Sequence, residues 1–157
     1  VDPISEERLT HVHPELARRV HQLDQFLTAD GIDIHVVQGY RTYAEQDAIY
    51  AQGRTAPGKI VTMARGGYSM HCFGLAVDLD PFRQGVPDWD ASDSEWRDML
   101  AKALTCGLAE GAQWEHDQED NPQFYPQEVP AQPTSAMRTL YASGGLEAVW
   151  AAVLPSA

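Results

Sequence analysis

Apolar residues recur along this chain with a period that switches between helical and extended. Leu16, Val20, Leu23 and Leu27 fall at helical spacing between Pro14 and Ala29, with Arg and Gln residues between them. That pattern predicts a helix with one apolar face, closed by Asp30-Gly31. Ile32 to Gln38 is rich in β-branched residues and predicts a strand. Gly39-Tyr40-Arg41-Thr42 then turns into a second helix over Ala44 to Gln52, which Gly53 terminates.

Residues 54–70 carry glycine, proline and basic side chains without periodicity, and a loop of that length inside a compact domain is usually functional or mobile. After it, Gly74 to Asp80 alternates strongly. Leu75, Val77 and Leu79 would face a core, and Gly74, Ala76, Asp78 and Asp80 the opposite side. Two acids and two very small residues on one face suggest that something approaches it closely. Trp96 to Cys106 predicts another amphipathic helix, and Gly107 to Pro133 is turn-rich. Two short helices, about 134–142 and 145–153, are expected to close the chain. A few strands with helices around them indicate the α+β class, here a small antiparallel sheet flanked by peripheral helices.

The chain has 157 residues, 43% of them apolar and 22% charged, as in ordinary globular proteins. One domain over residues 1–157 is expected, with its motif-bearing core at about 35–125 and a helical tail at about 134–154. No run approaches the roughly 18 apolar residues that span a bilayer, so no membrane insertion is expected. Val1-Asp2-Pro3 opens neither the basic stretch nor the apolar segment of a secretory signal. The formal charge of −12 argues against nucleic-acid binding, which draws its affinity from Lys and Arg on phosphates. Cys72 and Cys106 lack CxxC spacing and read as buried free thiols.

Candidate chemistry gathers at His71, Asp78 and the acids around 115–120. A zinc hydrolase needs three ligands from His, Asp or Glu, an open position for water, and a carboxylate to take that water's proton. On spacing alone, a His followed seven residues later by an Asp is more often a structural pair than a metal site.

The order of the whole segment adds more. Ser69-Met70-His71-Cys72-Phe73-Gly74-Leu75-Ala76-Val77-Asp78 resembles the SxHxxGxAxD signature of the D-Ala-D-Ala carboxypeptidase and L-alanyl-D-glutamate peptidase family, matching all five fixed positions. Gly39-Tyr40-Arg41-Thr42 with Gln46 and Tyr50 resembles the family's GYR segment and following helix. Residues 53–62 are similar to the GRTxPGxxVT loop of phage-type members, and residues 140–150 to a phage lysin tail.

The resemblance implies a Zn2+ enzyme that hydrolyses the stem peptides of bacterial peptidoglycan, at the L-alanyl-D-glutamate bond, as a phage-type endolysin. A D-Ala-D-Ala carboxypeptidase is the alternative. His71 and Asp78 would be the first two metal ligands. Arg41 would hold a substrate carboxylate or carbonyl with its fork of donors, and Ser69 would bind nearby. Asp120 would be the catalytic base, matching the Asp of a DxPHF segment here written Asp120-Asn121-Pro122-Gln123-Phe124.

Gln123 stands where the third ligand, a His, is expected. Three readings stay open: a disabled site that only binds peptidoglycan, His116 as substitute ligand, or Gln123 itself as a weaker one. His11, His13 and His21 read as surface or interhelix residues, and His35 as a strand histidine. Tyr40, Tyr43, Tyr68, Phe73 and Trp114 are candidates for a groove or for packing. No nucleic-acid partner is expected, and a monomer is the simplest expectation. A phage lysin would be made in the host cytoplasm and act in the periplasm or wall.

Overall fold

A computed structural model of the protein describes residues 1–87, 93–111 and 122–156. Helix α1 (Pro3–Leu9) is followed by α2 (Pro14–Thr28), strand β1 (Asp33–Gln38) and α3 (Tyr43–Ala51). A long connection leads to a 3-10 turn (Met70–Phe73), strands β2 (Val77–Arg83) and β3 (Val86–Pro87), and helix α4 (Asp93–Thr105). Strands β4 (Leu108–Glu110) and β5 (Gln123–Pro126) precede the closing helix α5 (Ser135–Val153). The strands form one antiparallel sheet in the order β1-β2-β5-β4, with β3 folded onto the outer part of β2. This is the α+β architecture expected from sequence. Among the described residues, no helix is long and apolar enough to cross a membrane.

The apolar stripe of α2 does what its spacing predicts. Leu16, Val20, Leu23 and Leu27 are buried against Ile34, Val36, Val77 and Leu79 of the sheet and Met99 and Ala103 of α4. Each such side chain removed from water contributes about 2 kcal/mol. The first helix was not legible, being too short to show a period. Its Asp2 cap accepts hydrogen bonds from the backbone N–H groups of Ile4 and Ser5. That helix shields the sheet edge: Ser5 Oγ accepts from the Val36 N–H at 2.8 Å, and Arg8 donates to the Val36 carbonyl at 2.6 Å. An open edge would otherwise present unpaired backbone groups.

A second core lies behind the 3-10 turn. Met70, Cys72, Phe73, Leu75 and Ala76 pack against Met137 and Val149 of α5, with Val129. This corrects the expected strand over 74–80, because β2 begins only at Val77. Gly74 takes a left-handed φ of 64° and caps the 3-10 turn, so the chain changes direction before the strand starts. Leu75 therefore enters the second core while Val77 and Leu79 enter the first. Ala76 and Asp80 are buried instead of lining an open face.

The turn-rich stretch 107–133 holds two short strands, β4 and β5, that its composition concealed. Gly145, with φ 69° and ψ −162°, interrupts α5 where two helices were expected. Cys72 and Cys106 are free and buried, one in each core.

Candidate functional site

Three strands bring three polar residues into one row. Asp78 on β2 is in register with Gln38 on β1, after a bulge that follows Val36, and with Gln123 on β5. Register partners on neighbouring strands project from the same face, so a carboxylate stands between two amides.

The 3-10 turn delivers His71 to this row. Ser69 caps the turn, its hydroxyl accepting from the His71 N–H at 3.3 Å. His71 Nδ1 lies 2.7 Å from the Gly39 carbonyl oxygen, and Nε2 lies 3.1 Å from Asp78 Oδ1. A carbonyl can only accept, so Nδ1 carries the hydrogen and donates it. The lone pair of Nε2 then faces a carboxylate oxygen, and that contact holds together only with a cation between the two atoms, a proton or a metal ion.

Arg41 closes the row from the side. Its backbone N–H donates to the His71 carbonyl at 3.0 Å. Its guanidinium donates from Nε to Gln38 Oε1 at 3.3 Å and from Nη1 to Gln46 Oε1 at 3.0 Å. Nη2 lies 3.7 Å from Asp78 Oδ2. Burial pulls the Arg41 pKa below its ordinary value, and the charge of Asp78 opposes that shift. Further along β2, burial and then the charge of Asp78 push Asp80 up to about 6.

Gln123 is only 7% exposed, and its amide nitrogen has no hydrogen-bond partner among the described residues. A buried amide group left unpaired costs free energy and calls for an explanation. The oxygen and nitrogen of a Gln amide are assigned and not distinguished by shape. Turned over, the same side chain would set its oxygen at the orphaned position.

Zinc is the metal that the sequence pattern implies. Ligand atoms about 2.0–2.1 Å from a tetrahedral zinc stand about 3.3 Å apart, close to the observed 3.1 Å between His71 Nε2 and Asp78 Oδ1. The Gly39 carbonyl on Nδ1 is the outer support that metal-binding imidazoles usually have. Among the described residues no third His, Cys, Asp or Glu joins them. The pair fits zinc well, and the amide oxygen of Gln123 would complete the set as a weaker donor.

Sequence reasoning singled out His71, Asp78, Arg41, Ser69 and Gln123, and the structure brings all five together. Ser69 sits beneath His71, buried, with its hydroxyl turned to the turn's backbone. Asp120, His116 and Trp114 lie outside the described residues. Two supporting residues had no assigned role: Gln38, and Gln46, which is buried and also donates to the Ala64 carbonyl at 2.8 Å. A Gln on the inner face of a short helix was the available signal. The other described histidines serve structure. His35 stacks on Phe82, and His11 and His21 pair with Glu7 and Glu6.

The fold and this row of side chains define a small α+β domain with a His–Asp pair beside a fixed guanidinium. Residues 9–112 match the VanY family of D-alanyl-D-alanine carboxypeptidases, and the chain belongs to that family. It is 36% identical over 111 residues to the peptidoglycan L-alanyl-D-glutamate endopeptidase CwlK of Bacillus subtilis, across 66% of this chain and 66% of that protein. The chain thus spans just under two thirds of that relative's length. It is 31% identical over 118 residues to the L-alanyl-D-glutamate peptidase of Escherichia phage T5, across 70% of this chain and 77% of that one. Its fold is similar to that of the Serratia marcescens L-Ala D-Glu endopeptidase ChiX, with a TM-score of 0.53 over 78% of this chain and 85% of the other at 22% identity.

Proposed function

We propose that this protein is a zinc-dependent peptidoglycan peptidase that hydrolyses the L-alanyl-D-glutamate bond of the stem peptide. The observation that carries the reading is the 3.1 Å contact between His71 Nε2 and Asp78 Oδ1, with Nδ1 already committed to the Gly39 carbonyl. The two curated relatives, both named for that bond, support the choice of substrate.

His71, Asp78 and the Gln123 amide oxygen would hold the metal. When bound, zinc would polarise the scissile carbonyl and lower the pKa of the attacking water. The chain supplies the rest. Arg41, fixed on Gln38 and Gln46, orients a carboxylate or carbonyl of the substrate and offsets negative charge that develops on the scissile oxygen. Asp120 takes the proton from water as its oxygen bonds to the carbonyl carbon, then delivers a proton to the departing amine as the C–N bond breaks. Ser69 acts behind His71, holding the turn that aims the imidazole. Activity as an endolysin, reaching the wall from the host cytoplasm, is part of this proposal, supported by the phage relative.

Zinc-loaded protein incubated with purified peptidoglycan tests the reading, with fragments identified by mass spectrometry and a chelator-treated control. New L-alanine and D-glutamate termini that vanish with chelator are expected. The family match favours one second reading, a D-alanyl-D-alanine carboxypeptidase; release of terminal D-alanine alone would select it. No cleavage by folded protein, with peptidoglycan still bound, would mark a site disabled by Gln123.

A further inference from the structure

Between Asp47 and Asp78 the chain contains no acidic residue, yet it carries Arg54, Lys59 and Arg65. All 23 acidic side chains of this protein of net charge −12 lie outside that stretch. The segment is tied to the candidate site at both ends. Gln46, which accepts from Arg41, donates to the Ala64 carbonyl at 2.8 Å. Ser69 accepts from the His71 N–H. Residues 65–68 therefore run from the support of one site residue to the support of another.

Within that run two cations share one ring. The guanidinium carbon of Arg65 lies 4.6 Å from the Tyr68 ring centre, and that of Arg138, arriving from α5, lies 4.1 Å from it. Arg138 also donates to the Gly67 carbonyl at 3.3 Å. Tyr68 is 42% exposed, and Arg65 is exposed beside it. Arg18, Arg19, Arg83 and Lys102 each pair with a carboxylate. Arg65 and Arg138 form no salt bridge among the described residues. Asp47, the acid whose field Arg65 feels, accepts from the Gly66 N–H at 2.7 Å. The neighbouring guanidinium groups of Arg65 and Arg138 draw the Tyr68 phenol below its ordinary pKa.

Two guanidinium groups, stacked on an aromatic ring and short of carboxylates in an acid-rich protein, form a receptor for an external carboxylate. Tyr68 is three residues from His71, so their Cα atoms are at most about 11 Å apart. Two residues of extended peptide cover about 7 Å. A substrate carboxylate next to the scissile bond falls to Arg41, and one carried two residues beyond it falls within reach of Arg65 and Arg138.

We infer that Arg65 and Arg138, stacked on Tyr68 three residues along the chain from His71, form a subsite for a carboxylate on the residue that follows the glutamyl residue of a stem peptide. The inference rests on the proposed peptidase reading. The subsite selects stems whose third residue is a dicarboxylic diamino acid over stems with lysine in that place. The two differ by a single carboxylate.

The test compares L-Ala-γ-D-Glu-meso-diaminopimelyl-D-Ala with L-Ala-γ-D-Glu-L-Lys-D-Ala on zinc-loaded full chain, so that the third residue's α-carboxyl is an amide in both and only the side-chain carboxylate differs. It uses kcat/KM where peptide is cut and calorimetric Kd where it is only bound. The wild-type protein should favour the diaminopimelate peptide by about tenfold, the scale of one charge-assisted contact. In Arg65→Gln and Arg138→Gln the ratio should fall toward one. Arg65→Gln lies on the surface and keeps the comparison valid should Arg138→Gln loosen α5. Equal handling of the two peptides by wild-type protein, with cleavage intact, overturns the subsite and leaves the peptidase reading standing. Failure to bind or cut either peptide overturns both.

Discussion

Gln123 stands directly across the β2–β5 pair from Asp78, its register partner, with the amide nitrogen buried and unpartnered among the described residues. Position 123 therefore borders the His71–Asp78 pair, whatever its side chain can bind.

Replacing Gln123 with His is expected to raise zinc affinity. Imidazole nitrogen is a far stronger donor than a neutral amide oxygen, and the backbone register already points position 123 at the row. The gain should be on the order of a hundredfold, about 3 kcal/mol. Competition with a chromophoric chelator measures it. Equal affinities for the two proteins would remove position 123 from the ligand set.

Gly74→Ala is expected to destabilise the fold. Gly74 has φ 64°, and a Cβ placed there would lie 3.1 Å from Trp150 Cζ2 and 3.3 Å from the His11 carbonyl oxygen. The left-handed backbone and the crowding together cost about 1–3 kcal/mol, or several degrees in Tm for a chain of this size. Trp150 is also pinned by its Nε1 donating to the Phe73 carbonyl at 2.7 Å, so it cannot easily retreat. Thermal unfolding followed by tryptophan fluorescence is the check, and an unchanged Tm would show that α5 gives way freely.

The legibility of these features in the sequence followed their length and locality. Leu16, Val20, Leu23 and Leu27 repeat often enough to reveal α2 and its buried face. Strand β5 has four residues, Gln123–Pro126, and exists because Phe124 pairs with Val77 far away in sequence. No local pattern announces such a pairing. The alternation through Leu75, Val77 and Leu79 misplaced the start of β2 because a left-handed glycine turns the chain between two cores. His71 and Asp78 were recognisable only through a resemblance of motif. Gln46 stood in the motif resemblance without a role and Gln38 was hidden, because the importance of both lies in a shared contact with Arg41.

Acid should weaken the protein through His13, which is buried at the start of α2. Its Nδ1 accepts from the Glu15 N–H at 3.0 Å, and its Nε2 donates to the Leu154 carbonyl at 2.8 Å. A proton on Nδ1 would displace the cap. Burial accordingly holds the folded-state pKa below the ordinary 6.5. The unfolded chain then binds the proton more readily. The contribution of His13 is complete above about pH 6.5 and declines as pH falls below that value. Asp80, raised to about 6, acts oppositely, because the folded state gains its proton first on acidification. The contrast that isolates His13 is wild type against His13→Asn, with urea unfolding measured between about pH 7 and 5. The difference in stability should shrink as pH falls; a constant difference would exclude His13 titration.

Gln46 links Arg41 to the 62–64 segment, and two substitutions separate its tasks. Gln46→Leu keeps the volume but removes the acceptor for Arg41 and the donor to Ala64. Leaving the Ala64 carbonyl buried and unpaired costs about 1–3 kcal/mol. Freeing one arm of the Arg41 fork should lower kcat by about tenfold with a smaller change in KM, as loss of orientation does. Gln46→Glu keeps an acceptor, now charged, against Arg41 while losing the donor to Ala64. If orientation of Arg41 is what Gln46 contributes, the Glu variant retains most of the turnover that the Leu variant loses. Equal loss in both would assign the effect to the Ala64 tether and not to the orientation of Arg41.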